Sequence, residues 1–161
     1  MFEPGLIDNN KITSDKRGKI SILQIKKKFN LNQINFSLSN KYVVRGMHFQ
    51  KEIKQNKILI LNHGKILDVL VNLKNNKITY YNIDINNQFL MIPDYCAHGF
   101  QVLSSNVSLT YLFDNNYSQR CQIGFDAFDK DLSIKWKKTI KKIRSNKDKL
   151  LNSYENFKKS L

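Results

Sequence analysis

The sequence predicts an all-β fold, a sandwich or closed barrel, on three observations. Short apolar runs recur through the middle of the chain at close intervals, each bounded by Asn or Gly turn signals. No helix-length apolar periodicity separates them, which argues against a parallel α/β sheet. The 161 residues hold only two prolines and six glycines, with no Ser/Gly/Pro-rich linker, so residues 1–161 read as one domain with a real core.

Taken in order, Lys57-Ile58-Leu59-Ile60-Leu61 reads as a strand ending at the turn signal Asn62-His63-Gly64, and 65–73 resumes as a second. The run 78–85 alternates partly and stops at Asn86-Asn87. Runs 89–92, 100–103 and 107–113 follow at short spacing. In the last, Val107, Leu109, Tyr111 and Phe113 share one face, so Tyr111 points where the apolar residues point, toward the interior. From 137 to 161 the chain is a basic tail, and 147–161 reads as a short amphipathic helix with Leu150, Leu151, Tyr154 and Phe157 along one side.

Composition removes several classes of function. A net charge of +14 attracts polyanions. Yet the lysines are scattered through every segment, and only Arg17, Arg45, Arg120 and Arg144 supply the guanidinium that base and phosphate readers favour. A basic surface that steers a small anionic substrate fits the charge equally well. No apolar run approaches the roughly 18 residues of a membrane span. The opening Met1-Phe2-Glu3-Pro4-Gly5 lacks the basic-then-apolar layout of a signal peptide. Cys96 and Cys121 make neither a disulfide framework nor a metal-type pair. The expectation is a cytoplasmic protein with neither nucleic acid nor membrane as partner.

Chemistry concentrates at two histidines. His48 lies in Arg45-Gly46-Met47-His48-Phe49-Gln50 and His98 in Ile92-Pro93-Asp94-Tyr95-Cys96-Ala97-His98-Gly99-Phe100, each beside a glycine that lets backbone approach closely. Either they are core histidines satisfied by hydrogen bonds, or they move protons near neutral pH. A metal site is disfavoured, because the residue two after His48 is Gln50 and His98 has no second histidine nearby. Proton transfer suits the set better. An imidazole takes a proton from carbon next to a carbonyl, a cation such as Lys57 steadies the enolate, and a phenol such as Tyr111 returns a proton to the opposite face.

The chain resembles the dTDP-4-dehydrorhamnose 3,5-epimerase family through motifs that run in order along nearly its whole length. Asp15-Lys16-Arg17-Gly18 is similar to the family's D-x-R-G, Gln33-Ile34-Asn35 to its Q-D-N, and the segment from Val44 to Gln50 to its L-R-G-L-H-[FY]-Q. Gly64 to Leu73 resembles G-x-[IV]-x-D-V-A-V-D-[IL], and Ile92 to Phe100 resembles I-P-x-G-[FL]-A-H-G-F. Asp131 to Trp136 and Ser145-Asn146-Lys147-Asp148 resemble the late L-[GA]-I-x-W and S-x-K-D segments.

The resemblance implies a cupin-type double-stranded β-helix (jelly roll), no cofactor and no metal, and a homodimer in which an early strand crosses to the partner's site. It implies His48 as base paired with Asp148, Tyr111 as general acid and Lys57 at the enolate. It makes Arg17, Gln33, Asn35, Arg45, His98, Tyr117 and Lys147 substrate contacts. Asp68, mid-strand in an apolar run, reads rather as a structural hydrogen-bond anchor. Departures stand at Lys19-Ile20 (an aromatic pair in the family), Ile34, and Lys137 (a proline in the family). The implied reaction is C3/C5 inversion of a nucleotide-linked 4-keto-6-deoxy sugar for surface polysaccharide synthesis. The rivals are a single-position epimerase, an enzyme of a GDP- or CDP-linked sugar, and a non-catalytic cupin that binds sugar nucleotides.

Overall fold

A computed structural model describes residues 1–7 and 12–161. The described chain forms β1 (Gly5–Leu6), β2 (Ile12–Asp15), β3 (Gly18–Ser21), β4 (Gln33–Asn40), β5 (Val44–Gln50), β6 (Lys57–His63), β7 (Ile66–Asn72), β8 (Ile78–Ile83), β9 (Phe89–Ile92), β10 (Cys96–Val102), β11 (Asn106–Phe113) and β12 (Gln122–Gly124). Two short helices follow, α1 (Asn146–Lys149) and α2 (Tyr154–Lys159).

Two five-stranded sheets have the orders β1-β9-β6-β11-β4 and β12-β5-β10-β7-β8, and β2 and β3 pair apart from them. Every pairing between these strands is antiparallel among the described residues. From β4 onward the chain changes sheet at each connection except the β7–β8 hairpin, the winding of a jelly roll. The turn at Asn62-His63-Gly64 serves this winding. The strand runs through His63, and Gly64, at φ 94°, turns the chain out of one sheet and into the other instead of closing a hairpin.

The second sheet is buried on both faces. Its inner face meets the first sheet in a cluster that includes Leu59, Leu61, Leu70, Leu90, Phe100 and Leu109. Its outer face, through Val44, Met47, Val69, Val71 and Ala97, is covered by Phe125, Ile134, Tyr154 and Phe157 from the last third of the chain. Every residue of β10 is therefore buried, and β7 reads as a nearly unbroken apolar run instead of alternating.

That covering segment corrects the expected tail helix. The 147–161 stretch does not run as one helix, because the backbone at Asn152 bridges to Phe125 and accepts from the Asp126 N–H at 2.8 Å. Ser145 and Ser153 each cap a separate short helix. Tyr154 and Phe157 are buried as expected, but Leu150 falls in the break and is 83% exposed.

Candidate active site

The two histidines are direct cross-strand partners, His98 on β10 opposite His48 on β5, so both face the same side of the sheet. Two residues beyond His98, Phe100 pairs with Arg45, three residues from His48. β5 thus carries an extra residue, a β-bulge at Gly46-Met47. Strict alternation would turn Arg45 away from His48; the bulge returns both to one cavity. Gly46 permits it. Its φ is 110°, and a Cβ there would stand 2.7 Å from both the Gly99 Cα and the His98 carbonyl oxygen.

Each histidine holds a carboxylate. His48 Nε2 lies 2.9 Å from Asp148 Oδ1, a partner 100 residues further along the chain. Oδ2 of the same carboxylate accepts from the Gly46 N–H at 3.3 Å, and the Asp148 N–H donates to the capping Ser145 Oγ at 3.0 Å. The Asp148 side chain is only 6% exposed, against 26% for His48. Burial works to raise the Asp148 carboxyl, but the hydrogen bond and charge of His48, with Gly46 and Ser145, outweigh it and hold it below the usual carboxylate range. Because a carboxylate only accepts, Nε2 carries a proton, and in the neutral ring Nδ1 is the nitrogen with the free lone pair.

His98 Nε2 lies 2.7 Å from Asp68 Oδ2, and both are buried. Burial raises the Asp68 carboxyl despite the charge and hydrogen bond of His98, and Oδ1 has no partner among the described residues. Asp68 thus takes the anchoring place read for it, orienting the ring beside Tyr111, whose centroid is 6.1 Å from that of His98.

A cavity of about 610 Å³ opens between the sheets and gathers Asn35, Arg45, His48, Lys57, His98, Tyr111, Tyr117, Lys147 and Asp148. Tyr111 sits across from Asn35 on β4 and Leu59 on β6. Burial, with the Asp68 charge adding and Arg45 opposing, pushes its phenol far above the ordinary value, so it stays protonated. Lys57 begins β6 opposite Phe113 and Ile92, and burial pushes its ammonium down to about 8.

Gln33 joins this group through neighbours, its Nε2 donating to Asn35 Oδ1 at 2.6 Å and its Oε1 accepting from the Tyr117 N–H at 2.8 Å. Arg17 stands apart. It lies at the turn of the β2–β3 hairpin, 83% exposed by side chain and paired with Asp15 at 2.6 Å, and is not among the residues that line this cavity.

Among the polar residues of the site, Gln122 and Arg144 were given no site role in the sequence, and Ser145 entered only as part of a family motif. Ser145 had a signal, since Ser145-Asn146-Lys147-Asp148 has the S-x-x-D form of a helix start. Arg144 bonds the Asp148 carbonyl and Asp126 Oδ1 (2.6 Å), clamping the turn that bears the carboxylate. Gln122 had no local signal at all.

Fold and site together define a cupin-type jelly roll whose inter-sheet cavity is equipped for proton transfer. The sequence model of the family described as dTDP-4-dehydrorhamnose 3,5-epimerase matches residues 6–156, and the chain belongs to that family. It is 36% identical over 127 residues to the dTDP-4-dehydrorhamnose 3,5-epimerase of Escherichia coli K12, covering 74% of this chain and 68% of that one. To the enzyme of the same name from Shigella flexneri it is 32% identical over 151 residues, covering 84% and 80%. Among solved structures, it superposes on a dTDP-6-deoxy-D-glucose-3,5-epimerase from Legionella pneumophila in complex with dTDP-4-keto-L-rhamnose. The TM-score is 0.83 at 27% identity, over 90% of this chain and 85% of that one. A dTDP-4-dehydrorhamnose 3,5-epimerase from Bacillus anthracis with TDP and PPi bound also gives 0.83, at 28% identity over 94% and 99%.

Proposed function

We propose that this chain is an isomerase that inverts C3 and C5 of dTDP-4-dehydro-6-deoxyglucose, giving dTDP-4-dehydrorhamnose for surface polysaccharide synthesis. The observation that carries this reading is the His48–Asp148 pair at 2.9 Å, sharing one cavity with Tyr111 and Lys57. The 4-keto group acidifies the protons on both neighbouring carbons. Nδ1 of His48 removes one, and Asp148 stabilises the imidazolium that forms. The Lys57 ammonium offsets the enolate charge, and Tyr111, held protonated by burial, delivers a proton to the other face. Nothing is oxidised or reduced, so the reaction asks for no redox cofactor. Asn35, Arg45, His98, Tyr117 and Lys147, with Gln33 behind them, serve as substrate contacts.

The working unit in this reading is a homodimer. β4 is an edge strand with inverted patterning: Gln33, Asn35 and Ser37 turn inward, while Ile34, Phe36 and Leu38 are 46%, 81% and 79% exposed. A row of large apolar side chains beside a free strand edge favours a second copy as its cover. That arrangement also gives the outlying Arg17 a site to serve, the partner's. Proton NMR of the product from dTDP-4-dehydro-6-deoxyglucose tests the reaction. The rhamno configuration supports it, inversion at one carbon assigns the single-position alternative, and recovery of unchanged sugar from folded protein contradicts it.

A further inference from the structure

The carboxylate that pairs with His48 stands on a very short support. Asp148 lies in α1, which is four residues long, and a single helical turn does not hold itself together in water. Ser145 caps its start, and at its end the Leu150 N–H closes on the Asn146 and Lys147 carbonyls at 3.2 Å. The carbonyl of Asp148 itself is one of those that a helix end leaves over. Arg144, the residue just before the cap, takes it. One terminal nitrogen, Nη2, donates both to that carbonyl and to Asp126 Oδ1, the latter at 2.6 Å.

The clamp leads back to β5. Asp126 Oδ1 also accepts from the Phe128 N–H at 2.9 Å, and the neighbouring Phe125 exchanges two backbone hydrogen bonds with Met47, each 3.1 Å, one residue from His48. On its other side the Asp148 carboxylate reaches Gly46 and His48 directly. The turn is thus tied twice to the strand that carries the histidine, once by the carboxylate and once by the guanidinium. The guanidinium has little freedom of its own: the Arg144 side chain is 12% exposed, and its charged centre lies 5.0 Å from the centroid of the Phe128 ring. Desolvation offsets much of the attraction in an ion pair this deep, so the Arg144–Asp126 contact adds little stability by itself. What it fixes is the place of the Asp148 turn.

We propose that Arg144 is a positioning residue for the proton transfer, holding the Asp148 turn so that the carboxylate keeps the neutral His48 ring protonated at Nε2 and free at Nδ1. Its effect on turnover rests on the epimerase reading above; its effect on the ring needs no substrate.

Arg144→Met keeps an apolar stem against Phe128 and removes the donors. In steady-state kinetics on dTDP-4-dehydro-6-deoxyglucose, kcat should fall about tenfold to a hundredfold, the scale of a misplaced catalytic group, with KM close to wild type. In an Asp148→Asn background the same substitution should lower kcat no further, because its route runs through the carboxylate. Nitrogen-15 NMR of histidine-labelled, substrate-free protein gives a third reading, taken at a pH where the ring is neutral. The His48 signals should report a protonated Nε2 in the wild type and a mixture of tautomers in Arg144→Met. Asp126→Asn is the milder second variant: it removes the charge that anchors the guanidinium while its amide oxygen still accepts from the Phe128 N–H. It should move the same three readings in the same direction by a smaller step, and they decide the matter should Arg144→Met not fold. An unchanged kcat overturns the proposal, as does an equal fall in the Asp148→Asn background or an unchanged His48 tautomer. Were the wild-type protein to show no turnover, the epimerase reading would fail while the ring signals still judged Arg144.

Discussion

The surroundings set the charge of three side chains in the site: they keep Asp148 ionised and Tyr111 protonated, and they work against the Lys57 ammonium. Asp148 is kept ionised by His48 and Gly46, so Asp148→Asn leaves the geometry in place but lets the amide offer His48 Nε2 a donor, favouring the wrong tautomer. Turnover should fall by about 10²–10⁴ with KM little changed, read from steady-state kinetics. Lys57 gives a pH signature with two opposite limbs. Its ammonium, pushed down to about 8, is lost as pH rises through that value, and turnover should fall with it. Stability moves the other way. From about 8 up to the ordinary 10.5 the unfolded chain holds this proton and the folded chain does not, so the stability cost of burying Lys57 is relieved with rising pH. Lys57→Met should therefore melt above the wild type at pH 7, and that advantage should shrink toward pH 10 in thermal scans.

At the scale of elements, the fold delivers these residues by a bulge and a docked tail. The bulge at Gly46-Met47 aims Arg45 and His48 together, and the tail carries Asp148 to them. Phe157, 2% exposed and 5.0 Å from Phe125 between ring centroids, pins that tail to the second sheet. Phe157→Ala should cost about 3–5 kcal/mol of stability in denaturant unfolding and lower turnover as well, because the Asp148 turn loses its support. The strands were legible in the sequence because alternation and turn signals act locally. The inward face of Tyr111 came from the same rule. The tail helix was misread for the reason that made it useful: tertiary bridging of Asn152 to Phe125 overrode an apolar spacing that local pattern alone supports. The His48–Asp148 pair is invisible to periodicity, since 100 residues separate its members, and entered through family motifs. Gln122 entered through neither.

For the molecule as a whole, the inverted face of β4 and the outlying Arg17 favour association of two copies. A chain this basic gains nothing from leaving Phe36 and Leu38 in water. Sedimentation at moderate salt should show a dimer, and Phe36→Asp with Leu38→Asp should give a folded monomer with impaired turnover. Burial of both faces of the second sheet ties the active site to the whole structure, so loss of the tail and loss of turnover belong together. Proton transfer at carbon by His48 is read by isotope exchange without reference to product identity. In deuterium oxide, mass spectrometry of dTDP-4-dehydro-6-deoxyglucose incubated with the wild-type protein should show deuterium entering at C3 and C5, and His48→Ala should abolish it. Exchange at wild-type rate in His48→Ala would rule out His48 as the base, and no exchange with the folded wild-type protein would rule out proton transfer at carbon.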